Sequence, residues 1–101
     1  MKPLYIQFKE KLKEEQENSI YQNFEIINKT FEDSYNTQKN SSLKFYFFNN
    51  EVPDSPNSGI SGIAIIFKNS ERWGWILAIG NGRIFTKNLS SGSWQNWKEF
   101  N

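Results

Sequence analysis

The 101-residue sequence contains neither cysteine nor histidine. Without cysteine there is no disulfide or thiolate metal site to reinforce a core that a chain this short can bury only in part, and self-association is the remaining source of burial. Without histidine the usual neutral-pH base and the commonest metal ligand are missing, and any catalysis falls to carboxylates. Of these, Glu51, Asp54, Glu71 and Glu99 lie in the second half. Their spacing marks neither a glycosidase pair nor a calcium loop. The chain is therefore expected to be no enzyme and to carry no metal or cofactor. A large charge of either sign is absent as well: 12 basic against 11 acidic residues leave +1, with the signs interleaved. Such a balance supplies no field for nucleic acid or an anionic membrane. No apolar run approaches the roughly 20 residues of a membrane span, and no signal peptide is expected.

Glycine and tryptophan are missing from residues 1–42, whereas the second half holds all 6 glycines and all 4 tryptophans. In the first part Ile20, Phe24, Ile27 and Phe31 stand four, three and four apart, a spacing that predicts one helical stripe. A stripe of two to three heptads is marginal without a partner, so it is expected to be the seam of a short coiled coil, with docking on the chain's own β part as the alternative. Tyr5, Phe8 and Leu12 form a separate stripe. Together with Ile6 they are expected to anchor the chain to a partner protein. The polar run Asn36–Ser42 sets the expected boundary, dividing a helical stalk at 1–42 from a β-rich unit at 43–101.

Beyond the boundary, Leu43–Phe48, Ile60–Phe67, Trp73–Ile79 and Arg83–Lys87 read as strands. Asn49–Gly59, with two prolines, reads as a long loop, Asn81-Gly82 as a tight hairpin turn and Ser91-Gly92 as a last turn. The fold class is α+β: a helical stalk followed by a small antiparallel β-rich knob. Trp94, Trp97 and Phe100 are three apart, which predicts a helical or 3₁₀-like turn that makes an aromatic clasp over the sheet.

The segments Gly80-Asn81-Gly82-Arg83-Ile84-Phe85-Thr86-Lys87 and Ser93-Trp94-Gln95-Asn96-Trp97-Lys98-Glu99-Phe100, after Asn50, Pro53, Gly59 and Gly62, resemble the C-terminal knob module of bacteriophage and pyocin fibres. The resemblance covers about residues 45–100, with Lys87 where many relatives have arginine. It implies a trimeric, non-enzymatic fibre or spike on the virion surface, joined to a capsid or tail protein and displaying its knob to the host. Tryptophan rings stack on the apolar faces of sugars, so a cell-wall polysaccharide is the expected ligand. Trp73 and Arg72, with Asp54 and Asn57 of the long loop, are the candidate glycan-binding residues. Trp75, Trp94 and Trp97 are read as core. The alternatives are a stand-alone carbohydrate-binding module and a purely structural accessory protein.

Overall fold

The computed structural model describes residues 24–57 and 59–100, with the single positions Leu4 and Gln7. The proposed anchor residues Tyr5, Ile6, Phe8 and Leu12, and Ile20 of the proposed seam, lie outside the described residues. Strands β1 (Phe24–Ile26), β2 (Ser42–Phe48), β3 (Gly62–Lys68), β4 (Gly74–Gly80), β5 (Arg83–Ser90), β6 (Ser93–Trp94) and β7 (Lys98–Phe100) form one sheet, accompanied by a helix, α1 (Phe31–Thr37). The sheet follows chain order from β1 to β6, and β7 also pairs with β5. All pairings are antiparallel except β1 with β2, which is parallel.

The meander follows from local chemistry. Asn81 and Gly82 (φ 54° and 74°) close the β4–β5 hairpin, and Ser91 and Gly92 (φ 51° and 83°) close β5–β6, both with the left-handed pair that suits a right-twisted two-residue turn. Gly74 answers a different need. A Cβ there would meet the Tyr35 hydroxyl and approach Tyr35 Cε2 to 2.7 Å.

Residues 24–42 belong to this sheet and its core, so no coiled-coil stalk is present among the described residues. The expected stripe does not form there. Phe24 lies in strand β1, Ile27 is buried just beyond it, and Phe31 is the first residue of α1. A continuous helix is broken by Lys29 at φ 63° and by Thr30, which is extended and caps α1 by accepting a hydrogen bond from Asp33 N–H at 2.9 Å. Aromatic and β-branched residues at 24–27 fit a strand as well as a helical face, and pairing with β2 decides for the strand. Docking on the chain's own β part therefore holds for Ile27 and Phe31.

The core lies between α1 and one face of the sheet. Phe31 packs edge-on against Phe48 and Trp97 at 5.1 and 5.3 Å, and Tyr35 against Trp94 at 4.9 Å. Beneath them are Tyr46, Ala64, Ile66, Ile76, Ala78, Phe85 and Leu89. Buried polar groups are satisfied. Gln38, at the end of α1, donates from Nε2 to the Ile66 carbonyl at 3.0 Å and accepts from Tyr46 Oη at 2.9 Å. The buried Lys68 ammonium donates to the Gln38 and Asn36 carbonyls at 2.9 and 3.2 Å, closing the helix C-terminus with positive charge.

The opposite face has no covering layer among the described residues. Strand alternation places there Phe24 and Ile26 of β1, then Leu43, Phe45 and Phe47 of β2, with Phe24 stacked on Phe45 at 5.2 Å. The apolar surface continues through Ile63, Ile65 and Phe67 to Trp75, Leu77 and Ile79, with Phe67 stacked on Trp75 at 5.6 Å. Polar positions begin only at β5, with Thr86 and Asn88.

The chain end departs from the helical turn expected for it. Between the pairs Leu89–Trp94 and Thr86–Lys98, β5 spans three residue steps and the returning strand four. That one surplus residue is a β-bulge at Asn96, since Gln95 N–H still donates to the Asn88 carbonyl at 2.9 Å. The bulge turns a spacing of three into one face, so Trp94 and Trp97 both pack against the core. Phe100, opposite Ile84, falls on the open face and leaves the clasp.

Candidate functional site

The four candidate glycan residues occupy opposite ends of the sheet. Asp54 and Asn57 sit in the loop that leads into Gly62, whereas Arg72 and Trp73 sit in the turn between Lys68 and Gly74. The intervening strand length separates the two ends by roughly 20 Å. One small glycan site cannot contain all four.

Asp54 has a structural task. Its Oδ1 accepts from Phe31 N–H at 2.8 Å and its Oδ2 from Glu32 N–H at 3.1 Å, while its carbonyl accepts from Trp97 Nε1 at 2.7 Å. A carboxylate across two free amides at a helix N-terminus is the stabilising arrangement there. Asn57 is exposed, and its carbonyl accepts from Ser55 Oγ at 3.4 Å.

At the other end, Trp73 is 50% exposed although its backbone is fixed. The Trp73 carbonyl accepts from Asn69 and Ser70 N–H at 3.1 and 3.0 Å. Tyr35 Oη lies 2.8 Å from the same oxygen and 2.7 Å from the Ser70 carbonyl, so its single proton is shared between them. Burial pushes the Tyr35 hydroxyl pKa up, which keeps that proton in place. One residue earlier in the chain, Arg72 donates from Nη2 to the Ser91 carbonyl at 3.1 Å, and Gly92 N–H donates to the Arg72 carbonyl at 3.0 Å. The turn thus carries an exposed indole at Trp73 and, at the preceding residue, a guanidinium tethered by one arm with donor capacity left over. Tyr35, Ser91 and Gly92 escaped notice in the sequence. Ser91-Gly92 is legible as a turn, but its place beside Arg72 follows from the antiparallel order of β3, β4 and β5.

Two of the other tryptophans are structural. Trp94 and Trp97 pack on the core, and the Lys87 ammonium lies 5.7 and 5.6 Å from their ring centres and 3.8 Å from Glu32. A lysine there bridges two rings and a carboxylate without the planar fork of arginine. Trp75, expected in the core, lies instead on the open face, because strand alternation puts it opposite Phe67 and away from Ile76 and Ala78.

Two further carboxylates are similarly committed. Glu99 receives two hydrogen bonds from Arg83 at 2.8 and 2.6 Å, which hold its carboxyl below the usual range, and Glu25 pairs with Lys44 at 2.6 Å. No group of three or more acidic residues gathers among the described residues. A depression of about 360 Å³ lined by Thr37, Gln38, Lys39, Ser42, Leu43 and Lys44 holds no aromatic ring and no carboxylate. No family model, curated protein or solved structure matched the chain.

Proposed function

We propose that the chain is a non-enzymatic fibre or spike component of a bacteriophage virion, attached through its N-terminal segment, in which the sheet unit is a knob that meets host-surface polysaccharide at Arg72 and Trp73. The observation that carries this reading is the exposed Trp73 indole on a backbone held by Asn69, Ser70 and Tyr35. A flat ring on a fixed backbone has only its side-chain torsions to order on binding, which suits stacking on a sugar face, and the tethered Arg72 guanidinium suits a hydroxyl or an acidic substituent. Self-association and a capsid or tail partner complete the reading.

The test is binding of the labelled protein to an array of bacterial surface polysaccharides. Trp73→Ala is expected to weaken binding by about tenfold or more with the unfolding midpoint unchanged. Equal binding by Trp73→Ala, with loss on Asn57→Ala, would move the site to the 49–59 loop. An array blank for the unaltered protein would remove the glycan role and leave the purely structural one.

A further inference from the structure

We infer that the open sheet face is the self-association surface of this protein, covered in the assembled state by the same face of a second copy. The inference rests on reading the chain as an oligomer, though not on what Arg72 and Trp73 bind, so a blank polysaccharide array leaves it standing. It also moves self-association away from the helical stripe, whose Ile27 and Phe31 are used within the chain.

Size is the first support. Strands β2 to β5, of seven or eight residues each, are about 23 Å long and together span about 19 Å, and the three-residue β1 and β7 add about 50 Å² each, so the face covers roughly 540 Å² in plane. Two such faces together remove about 1,100 Å², more once side-chain relief is counted, which reaches the lower range of stable interfaces. Its apolar part is contiguous from β1 to β4 and reaches Ile84 of β5, a patch of several hundred square ångströms of the kind that marks an interaction surface.

Charge and shape identify the partner. The inward-of-β5 positions on this face carry no acidic or basic residue, and the sheet's one charge on this side is Lys98, at the β7 edge. Two identical faces therefore meet without like-charge repulsion, and a partner chosen by charge finds nothing to read. A two-fold axis running along β3 sets β2 of one copy, with Phe45 and Phe47, over β4 of the other, with Leu77 and Ile79, so aromatic rings meet aliphatic side chains. The polar positions Thr86 and Asn88 then fall near the rim. Sheets stacked this way lie about 10 Å apart and give a two-layer sandwich with its second core complete.

The experiment uses the full chain. Light scattering at tens of micromolar is expected to give an even multiple of 11.9 kDa, because a self-complementary face joins copies two by two, and an odd multiple overturns the inference. Phe47→Lys should weaken association by about a hundredfold or more, because it leaves an unpaired ammonium inside the apolar interface. Phe47 is 45% exposed and Leu43 51% exposed in the single chain, so Leu43→Lys is the second variant should the first fail to fold. Since the chain has no cysteine, Phe47→Cys provides a unique thiol. It should react with a maleimide about tenfold or more slower than a Glu71→Cys thiol in the exposed β3–β4 turn. A monomeric mass overturns the inference whether or not the thiol is protected, protection then meaning that residues 1–23 cover the face. An oligomer that survives both lysine variants, or one in which the Phe47→Cys thiol reacts freely, overturns it too and places association elsewhere.

Discussion

Replacing Asp54 separates a binding role from a folding role. Asp54 bridges 22 and 23 residues of sequence to reach the first two free amides of α1, and its carbonyl holds the Trp97 indole. Asp54→Ala leaves the backbone contact in place and removes both carboxylate bonds. Each charge-assisted bond is worth about 1.5–3 kcal/mol when buried, but both are half-buried and water can reach the freed amides, so the pair is worth about 2–3 kcal/mol. Asp54→Asn keeps one acceptor and presents an amide to the other N–H, giving an expected loss of about 1–1.5 kcal/mol. Urea unfolding followed by tryptophan fluorescence should give this order with unchanged slopes. By contrast, Asp33→Ala, whose side chain is exposed in the same helical turn, should cost less than about 0.5 kcal/mol. Polysaccharide binding, measured well below the unfolding midpoint, should be the same for both Asp54 variants as for the unaltered protein. A loss below about 0.5 kcal/mol for Asp54→Ala would refute the bridging role, and impaired binding by a fully folded Asp54→Asn would return the residue to the ligand site.

Other perturbations read other parts of the fold. Gly74→Ala should destabilise by about 3 kcal/mol in thermal melts, because its Cβ strikes Tyr35 and the Phe67 carbonyl, whereas Gly82→Ala, with open space but φ 74°, should cost about 1 kcal/mol. Lys87→Ala should cost about 1–2 kcal/mol by removing a cation and its stem from between Trp94 and Trp97, while Lys44→Ala, in an exposed pair, should cost less than about 0.5 kcal/mol in the same urea assay. Burial first, and Glu25 second, push the Tyr46 hydroxyl pKa up to about 12. The folded state thus holds this proton more tightly than the unfolded chain, and a contribution on the order of 2 kcal/mol, fully present below about pH 10, is lost between about pH 10 and 12. Ultraviolet titration should find phenolate formation coinciding with loss of the sheet signal in circular dichroism; ionisation of every tyrosine near pH 10 with the sheet intact would contradict it.

The second half was legible because its signals are local. Asn81-Gly82 and Ser91-Gly92 specify turns by the positive φ they tolerate, and the strands between them follow, with bounds shifted by one to three residues. The first half misled because Phe24, Ile27 and Phe31 satisfy a helical period by coincidence. Their actual positions depend on β2, some 20 residues away in sequence, and on Lys29 adopting a left-handed conformation that its residue type does not advertise. Gln38 and Lys68 are of residue types that usually stay at the surface yet are buried, since the carbonyls that accept from them converge only after α1 has docked. At the site, the exposure of Trp73 was legible from its charged neighbours Glu71 and Arg72. The use of Asp54 was not, because nothing near it in sequence announces the start of a helix 23 residues earlier.

The surplus residue at Asn96 has a meaning for how such a sequence can drift. With Asn96 deleted, Gln95 stays opposite Asn88 and Trp97 opposite Lys87, and the returning strand becomes regular with every later side chain on its present side. Deleting Lys98 instead would turn Glu99 away from Arg83 and onto the apolar face, and bring Phe100 in beside the core. A one-residue deletion before Trp97 therefore only removes the bulge and leaves both surfaces of the sheet as they are, whereas one after it exchanges them.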